Sequence, residues 1–409
     1  MTNRHDALRP VTWLTEDEQA WREQVAAFAE KCVVPRAAAM DRAALLAPDL
    51  VTELRSAGLM AIHVPERYGG RGGRLFDVVV AIEELAKADP AVAVFVDVQN
   101  ALVAQALLTH GSGDQKRAHL PGLAGGGVGA FALSEEQAGS DALALSATAR
   151  PDGDDFVLHG HKRWITNAAE ADLFLLLARV PEQGVTAFLV DRRAEGLTVG
   201  TRTAKMGIRA TSTCEVLLHG VRVPRRNVLG AVGRGDVVVV QTLDVGKLGI
   251  AAQLVGLADG ALTAAVAHAR RRVQFGRPIG AYQGVRFPLA RLSAEIDAAR
   301  VHLYNATRLA EHGTHTGELT RAAAVAKYLA SEVAERSASL AVEILGGLGF
   351  AEAGGVEKLY RDAKVGKIYE GTSNMQFRAI SAHLLRGVAE HAGQAPGPRD
   401  DTLATDPGE

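Results

Sequence analysis

Cysteine is scarce in this 409-residue sequence, and neither sign of charge is in excess. The two cysteines, Cys32 and Cys214, cannot form a disulfide framework, and they suit a reducing compartment. The 45 basic and 47 acidic side chains leave a net charge near −2, so nothing favours nucleic acid or an anionic membrane surface as a partner. Residues 1–12 lack the apolar core of a secretory signal, and no apolar run approaches the roughly 18 residues of a membrane helix. We therefore expect a cytoplasmic protein that binds neither nucleic acid nor membrane.

Several motifs of common enzymes are also missing. The sequence has no P-loop and no His-Glu-x-x-His motif, and we predict no metal site. It has no Gly-x-Ser-x-Gly either, which excludes the nucleophile elbow of a serine hydrolase. Gly125–Ala130 matches the loose dinucleotide fingerprint, but a strand pattern follows it where that motif requires a helix. We predict a plain loop there and no Rossmann domain.

What is present is a change of periodicity along the chain, whose length suggests two or three domains. From residue 14 to about residue 123 the pattern is helical, and a capping box of Thr15 and Glu18 opens the first helix. The pattern breaks at the turn-rich Pro65–Gly70 and resumes near Phe76.

Short apolar runs separated by turn residues follow between about Val128 and Leu229, which indicates a small β domain. These runs are Gly129–Leu133, Phe156–Leu158, Leu173–Ala178, Ala187–Val190 and Val216–Leu218. Helical periodicity returns from about Val237. One stretch there places apolar side chains at alternating steps of three and four, as on one helix face of an antiparallel bundle: Leu289, Leu292, Ile296, Ala299, Leu303, Ala306 and Ala310.

These patterns predict an α+β fold in four parts. We expect an N-terminal helical domain at 12–127, a middle β domain at 128–236 and a C-terminal helical domain at 237–388. The tail at 389–409 carries proline, glycine and several acidic residues, and we expect it to be disordered. The α, β, α order suits a flat cofactor held between the sheet and the helical layers.

One carboxylate in the last helical zone stands directly before Gly-Thr-Ser, within the segment Lys364–Gln376. Gly371, which follows Glu370, permits tight backbone geometry and close approach to a ligand. Thr372, Ser373 and Asn374 supply donors and a helix N-cap, which suits an anionic group. The same residues equally fit a solvated glutamate beside a helix cap, and periodicity alone favours that simpler reading.

This segment resembles the active-site segment of the acyl-CoA dehydrogenase family, in which the glutamate before Gly-Thr/Ala-Ser is the catalytic base. Four further segments agree in order and spacing with two flavin loops, a contact to a neighbouring subunit's flavin, and an adenine-side contact across the dimer. They are Phe131–Asp141, Trp164–Asn167, Arg272–Pro278 with Gln283, and Glu343–Gly347. Each of these segments, taken singly, has an ordinary structural explanation. Five such segments in the family's order, within a match that runs from about Leu14 to Leu385, are not explained in that way.

Within the family, the resemblance is closest to short/branched-chain acyl-CoA dehydrogenases. It rests on Val96–Asn100, Gly207–Cys214, Gly249–Gln253 and Tyr360–Gly366. It implies a middle β-barrel or sandwich and a C-terminal four-helix bundle. It also implies a homotetramer built as a dimer of dimers, with an electron-transferring flavoprotein as electron acceptor.

The resemblance further implies FAD-dependent α,β-dehydrogenation of a short or branched acyl-CoA to the trans-2-enoyl thioester. Glu370 would remove the α-proton, and flavin N5 would take the β-hydride. The thioester oxygen would accept from the Glu370 backbone N–H and from a ribityl hydroxyl of FAD. We expect burial to raise the pKa of Glu370 towards the working pH.

Residues in the matching segments receive roles by the same resemblance. The cofactor residues would be Phe131, Leu133, Ser134, Gly139, Ser140, Trp164, Ile165, Thr166, Arg272, Gln274, Phe275, Gln283, Glu343, Ile344, Gly346, Gly347, Thr372, Ser373 and Asn374. The substrate residues would be Ser140, Asp244, Lys247, Tyr369 and Gly371. Trp164 would pack beside the flavin ring, and Thr166 would bond to its polar edge.

Two positions and one loop show how closely the sequence follows the family pattern. Some relatives carry the base on the helix that begins the last domain, but Gly246 at that position has no side chain, which favours Glu370. Lys247 replaces the usual arginine, so a point charge replaces a planar fork. The loop Glu135–Gly139 differs from the usual pattern, and its backbone is expected to differ there.

Three other functions fit the same residues. One is dehydrogenation of an acyl group on a carrier protein, and another is a flavin oxidase that uses oxygen. The third is a scaffold that kept the fold and lost its flavin.

Overall fold

A sheet of mostly short strands stands between two helical regions along the chain. The computed structural model describes residues 12–312 and 317–385. The predicted order of helical, β and helical parts is confirmed. The predicted tail at 389–409 lies outside the described residues.

The N-terminal region is helical up to Ala124, as predicted. The capping box is confirmed: Thr15 Oγ1 accepts from Glu18 N at 3.3 Å, and Glu18 Oε2 accepts from Thr15 N at 3.1 Å. The helices are α1 Glu16–Phe28, α2 Ala37–Ala43, α3 Leu50–Ser56, α4 Leu75–Ala88, α5 Pro90–Asp97, α6 Gln105–His110 and α7 Gly113–Ala124. A π-helix, Ala29–Val33, extends α1, and a 3₁₀ turn, Glu66–Tyr68, occupies the predicted break.

A second π-helix, Val98–Ala104, joins α5 to α6 without interruption. Its polar side chains tie it to its surroundings. Asn100 accepts from Ile62 N and donates to Leu59 O and Val96 O, each at 2.9 Å. Gln99 Oε1 accepts from the sheet at Gly129 N, at 2.7 Å. Since π-turns are uncommon and cluster at functional sites, this segment is a candidate wall of the site.

The middle region is a mixed sheet. Its strands are β1 Gly129–Ala132, β2 Thr148–Asp152, β3 Asp155–Thr166, β4 Leu173–Val180, β5 Gly184–Asp191, β6 Leu197–Val199, β7 Thr213–Pro224 and β8 Val228–Leu229. Their order is β6-β7-β3-β2-β4-β5-β8, and β1 pairs parallel with β4. All five predicted apolar runs lie in or end beside strands. Gly125–Val128 is a loop, as expected, and strand β1 follows it.

Long helices form the C-terminal region. They are α8 Gly235–Arg271, α9 Gln283–Glu311, α10 Gly317–Leu345, α11 Gly347–Phe350, α12 Val356–Ala363 and α13 Ser373–Leu384. A hairpin of β9 Val273–Gln274 and β10 Arg277–Pro278 separates α8 from α9. The predicted stripe on α9 is confirmed, because its five central members are buried and both ends are half-buried.

Two helical stretches, Pro90–His110 and Gly235–Arg271, are long and apolar enough to cross a membrane. Most of each is buried inside the protein. That burial is the expected environment of core helices, and it accounts for their apolar composition.

A buried ion network joins α4, α8 and α9. Arg300 donates to Glu83 Oε1 at 2.8 Å and to Asp259 Oδ2 at 2.9 Å, and Tyr304 OH donates to Glu83 Oε2 at 2.8 Å. Burial alone would raise the pKa of Glu83, but Arg300 and Lys87 outweigh it and lower that pKa to about 2. The network therefore fixes three helices against one another.

Replacing Arg300 by leucine should lower the free energy of unfolding by about 3 to 5 kcal/mol, because two buried carboxylates, Glu83 and Asp259, each lose a charged partner. The folded-state pKa of Glu83 lies below its ordinary 4.5, so its contribution is complete above about pH 4.5 and is lost towards pH 2. Urea titrations across this range measure both effects. Arg336→Leu is the control, since Arg336 is 51% exposed and pairs with Glu295, and it should cost under about 1 kcal/mol. Equal losses in both variants would contradict the prediction.

Candidate active site

Glu370 lies in a strained turn between the 3₁₀ turn Lys364–Lys367 and α13. Its φ is 52°, and Gly371 follows at 85°, so two consecutive residues adopt left-handed backbone. Such geometry costs energy at a non-glycine residue and persists only where the surroundings hold it. Gln376 Nε2 donates to the carbonyls of Glu370 at 3.0 Å and Gly371 at 2.8 Å. Lys327 Nζ donates to Gly371 O at 2.6 Å.

The Glu370 carboxylate points into the protein. Its Oε2 is buried and has no hydrogen-bond partner among the described residues. A Cβ placed on Gly246 would lie 3.0 Å from that oxygen, so α8 leaves room for it by lacking a side chain there. Burial raises the pKa of Glu370 to about 7, against the opposing effects of Lys327 and Lys247. The expected upward shift is confirmed, and the solvated reading of this glutamate is wrong. The carboxylate is suited to accept a proton near neutral pH.

Two lysines supply the positive charge near this carboxylate. Lys327 is fully buried, and its burial lowers its pKa to about 8, which the Glu370 carboxylate partly offsets. Lys247 donates to Asp244 Oδ1 at 2.8 Å, and Asp244 Oδ2 accepts from Thr320 Oγ1 at 2.6 Å. Lys247 and Asp244, both predicted as substrate residues, therefore hold each other, and Lys247 still acts on Glu370 through its charge.

Two residues of this site were missed by the sequence analysis. Lys327 lies on the buried face of α10 among Ala323, Ala326 and Ala330, so a charged residue interrupting an apolar stripe was the available signal. Gln376 gave no such signal, because its role follows from the shape of the turn.

The residues around Glu370 brace the turn. Tyr369 OH donates to Gln253 Oε1 at 2.9 Å, which directs this predicted substrate residue towards α8. Thr372 occupies the N-cap position of α13, but its side chain makes no capping hydrogen bond. The Thr372 hydroxyl therefore stays available, as do the side chains of half-buried Ser373 and exposed Asn374.

The first predicted flavin loop is fixed from within by a buried ion pair. Glu135 accepts from Lys162 Nζ at 2.7 Å, from Ser146 N and Oγ at 2.6 Å each, and from Ala147 N at 3.0 Å. Lys162 also donates to Leu133 O at 3.0 Å. The loop folds back between Glu135 and Ala138, whose backbones exchange hydrogen bonds of 3.1 and 3.3 Å. Among the predicted flavin residues of this loop, Phe131 and Ser134 are half-buried, Leu133 is buried, and Gly139 and Ser140 are exposed.

The second predicted flavin loop contains an exposed aromatic side chain. Trp164 is 57% exposed, so it is no core residue, and its φ of 62° places it at the bulge of β3 against β7. A bulge re-aims a side chain, and backbone strain concentrates at ligand sites. Arg163 N donates to Ser134 O at 2.9 Å, so the two loops lie side by side. Ile165 is buried beneath them and Thr166 is half-buried.

The remaining predicted cofactor residues lie away from Glu370 and from the two flavin loops. Arg272, Gln274, Phe275 and Gln283 are exposed on or beside the β9–β10 hairpin, and Phe275 is 94% exposed with a φ of 48°. Gly246 and Arg271 are about 37 Å apart along α8 at 1.5 Å per residue. At the end of α10 and the start of α11, Ile344 is half-buried, and Glu343, Gly346 and Gly347 are exposed. One chain alone does not bring these residues to Glu370.

Three family models match nearly the whole chain. They are the N-terminal, middle and C-terminal domains of acyl-CoA dehydrogenase, at residues 15–127, 130–221 and 233–385. The chain belongs to the acyl-CoA dehydrogenase family. This acyl-CoA dehydrogenase family member is therefore an oxidoreductase, and the predicted family and fold class are confirmed.

Named relatives span most of its length. It is 43% identical over 384 residues to the "Probable short/branched chain specific acyl-CoA dehydrogenase" of Dictyostelium discoideum, covering 93% of this chain and 92% of that one. It is 39% identical to the mitochondrial short/branched chain specific acyl-CoA dehydrogenase of Rattus norvegicus, covering 94% of this chain and 89% of that one. The predicted likeness to short/branched-chain members is therefore confirmed.

Solved structures of the family superpose closely. Butyryl-CoA dehydrogenase from Megasphaera elsdenii gives a TM-score of 0.89 at 36% identity, over 92% of this chain and 100% of that one. A chain in a structure described as the electron transferring flavoprotein of Acidaminococcus fermentans gives a TM-score of 0.89 at 37% identity, over 91% of this chain and 99% of that one. The prolyl acyl carrier protein oxidase AnaB gives a TM-score of 0.87 at 28% identity, over 91% of this chain and 100% of that one.

Proposed function

We propose that this chain catalyses the FAD-dependent α,β-dehydrogenation of a short or branched-chain acyl-CoA thioester, giving the trans-2-enoyl thioester. One observation carries the proposal: a buried Glu370 oxygen without a partner faces a helix position that has no side chain. A carboxylate in this setting is prepared to take a proton from a bound ligand. Similarity to relatives named for short and branched chains supports the choice of acyl group.

The chemistry asked of the protein is removal of a weakly acidic proton next to a thioester carbonyl. Glu370 Oε2 accepts that proton, and its raised pKa matches the task near neutral pH. The Glu370 backbone N–H has no acceptor among the described residues, and the strained turn holds it in place. We assign it to the thioester oxygen, where charge develops as the proton leaves. Lys327 and Gln376 keep this N–H and the carboxylate in fixed relation.

The residues of the two loops fit an FAD ring. Trp164 offers an exposed aromatic face on a rigid bulge, and Ser134 and Thr166 supply hydroxyl groups nearby. The buried Glu135–Lys162 pair fixes the first loop from within. When bound, FAD supplies an acceptor for the β-hydride at its N5.

A homotetramer is part of the proposal, and it is supported by predicted cofactor residues that lie far from Glu370 in one chain. Phe275 and its neighbours follow Arg271, which lies about 37 Å along α8 from Gly246, and we assign them to the flavin of a second copy in a homotetramer. Light scattering should then give four times the 43.1 kDa of one chain, and a monomeric flavoprotein would contradict it. A cytoplasmic location and an electron-transferring flavoprotein as acceptor belong to the same proposal.

A second candidate is oxidation of an acyl group on a carrier protein, with oxygen as acceptor. The similarity to prolyl acyl carrier protein oxidase favours its consideration. Comparing turnover of an acyl-CoA with the same acyl group on a carrier protein, and measuring peroxide without a dye acceptor, separates the two functions.

The direct experiment is an anaerobic screen of acyl-CoA thioesters against the purified flavoprotein. Butanoyl, isobutanoyl and 2-methylbutanoyl thioesters should bleach the flavin, and long-chain thioesters should bleach it slowly. Dithionite is the control for a reducible flavin. If dithionite bleaches the flavin and no thioester does, the proposed reaction is wrong.

A further inference from the structure

A buried lysine on α12 holds carboxylates from two regions of the chain. Lys358 Nζ donates to Asp362 Oδ2, one turn along α12, at 2.6 Å, and to Asp89 Oδ1, at the N-cap of α5, at 3.0 Å. Lys358 is 8% exposed, and both carboxylates are fully buried. Asp362 Oδ1 also accepts from the backbone N–H of Ile208, which precedes β7. One charged cluster therefore connects the N-terminal, middle and C-terminal regions.

Stability alone does not account for this cluster. Removing an ionised group from water costs several kcal/mol, and well-packed apolar residues of similar size often stabilise a fold as well as a buried ion pair does. Asp89 also caps α5 by accepting from Ala91 N at 2.8 Å, but a cap requires no lysine. Charge-assisted hydrogen bonds are directional, so the cluster holds three segments in one relative position, which apolar packing does less strictly.

The partner of the cluster in the middle region has strained backbone. Ile208 has a φ of 44°, a rare left-handed conformation for a β-branched residue. Thr211 Oγ1 donates to Ile208 O at 2.9 Å. A Cβ on Gly207 would lie 2.3 Å from Arg361 O, so this loop rests directly on the backbone of α12. Strain of this kind persists only where the surroundings hold it, and it concentrates at functional sites.

From Ile208 the same loop leads to the second flavin loop. Asn167, the last residue of that flavin loop, donates its backbone N–H to Ser212 O at 3.1 Å. The Nδ2 of Asn167 donates to Phe95 O, on α5, at 3.1 Å. Asn167 is fully buried and has a φ of 65°. Since α5 begins directly after Asp89, these contacts return to the cluster and form a closed circuit through three regions.

This circuit connects the two segments that the proposed reaction brings together. Glu370 follows Asp362 by eight residues along the chain, and Trp164 precedes Asn167 by three. Glu370 and Trp164 both have left-handed backbone, with φ values of 52° and 62°. The circuit therefore joins the strained turn of the base to the strained bulge of the flavin loop.

We propose that Lys358 and Asp362 are positioning residues, which hold the segment that carries Glu370 in a fixed place relative to the second flavin loop. The proposal rests on the proposed function, since it takes Glu370 to be the base and this loop to hold the flavin. Both residues act through others: Asp362 acts through Ile208, and Lys358 acts through the two carboxylates. A displacement of about 1 Å at a catalytic group can cost about a hundredfold in rate, so such a tie has a measurable effect.

The test separates the placement of the base from the binding of the substrate. Lys358→Met and Asp362→Asn are prepared as FAD-loaded proteins, and the rate of anaerobic flavin bleaching is measured with saturating butanoyl-CoA. Lys358→Met should lower this rate by about a hundredfold, and Asp362→Asn, which keeps an acceptor for Ile208 N, by about tenfold. The dissociation constant of unreactive S-butyl-CoA should stay within about threefold of wild type. Visible circular dichroism of the bound flavin, which reports how the ring is held, should change in Lys358→Met before any substrate is added.

Arg300→Leu is the matched control, because it also breaks a buried ion cluster between helices. Among the described residues, no hydrogen bond of the Arg300 cluster reaches the second flavin loop. This variant should lose stability as Lys358→Met does, yet keep the bleaching rate within about threefold of wild type and leave the circular dichroism unchanged. All rates are measured at a temperature at which each variant is folded.

Equal rate losses in Lys358→Met and Arg300→Leu would overturn the proposal, because general loosening would explain both. A wild-type rate in Lys358→Met would overturn it as well, and so would thioether binding that weakens in proportion to the lost rate. If neither Lys358→Met nor Asp362→Asn folds, the cluster is structural and the proposal is wrong. If no acyl-CoA bleaches the wild-type flavin, but the circular dichroism changes in Lys358→Met and not in Arg300→Leu, the proposed reaction fails and the positioning role is retained.

Discussion

Replacing Glu370 by glutamine should slow flavin reduction by an acyl-CoA by about 10³- to 10⁴-fold while flavin stays bound. Glutamine keeps the shape of the side chain and its buried position, but it cannot accept the α-proton. The rate of flavin bleaching in anaerobic stopped flow measures the loss, and the visible flavin spectrum before mixing measures cofactor content.

The matched control is Glu352→Gln, which makes the same chemical change at an exposed position and should leave the rate unaltered. Gly246 offers a sharper control. A Cβ there lies beside the Glu370 oxygen, so a Glu370→Gly/Gly246→Glu double variant should recover at least about tenfold over Glu370→Gly alone. A rate for Glu370→Gln within tenfold of wild type would rule out Glu370 as the base.

Replacing Lys327 by methionine should lower the rate of flavin reduction by about a hundredfold and shift the pH dependence of that rate to higher pH. The amine holds Gly371 O at 2.6 Å, and loss of this bond loosens the turn that carries the base. Lys327 also lowers the pKa of Glu370, so its removal raises that pKa above about 7 and the ionised base appears at higher pH. Rates of bleaching measured across the neutral range report both effects.

Lys364→Met is the control for this variant, because Lys364 is 51% exposed and pairs with Glu335 on the surface. Its rate and pH profile should match wild type. Should Lys327→Met lose rate with no movement of the profile, Lys327 acts only as a brace, and its electrostatic role is wrong.

Much of the architecture could be predicted from periodicity. Local sequence patterns determine three features that were predicted: the capping box at Thr15, the break near Tyr68 and the buried stripe of α9. Strands β2, β6 and β8 were missed, because they are short or polar and exist through pairing with distant strands. Both π-helices were also missed, since nothing in their composition separates them from an α-helix.

The candidate site was only partly predictable. Glu370 and the two flavin loops could be named from ordered motifs, whereas the motifs said nothing about exposure or contacts. That Trp164 stands out from a bulge, and that Asp97 reaches Gly249, are results of packing between segments far apart in sequence. Lys327 belongs to the same class, because its partner lies 44 residues away.

The second π-helix has a consequence for how the wall beside Glu370 is packed. Asp97 and Leu102 are five residues apart, and an α-helix would turn them about 140° away from each other. The π-turn, in which Gln105 N bonds to Asn100 O, brings both towards the same strip of α8. Deleting one residue between them would restore the ordinary winding and rotate Asp97 or Leu102 away from α8. Gain or loss of a single codon, with no side chain exchanged, would then alter the packing beside Gly246 and Glu370.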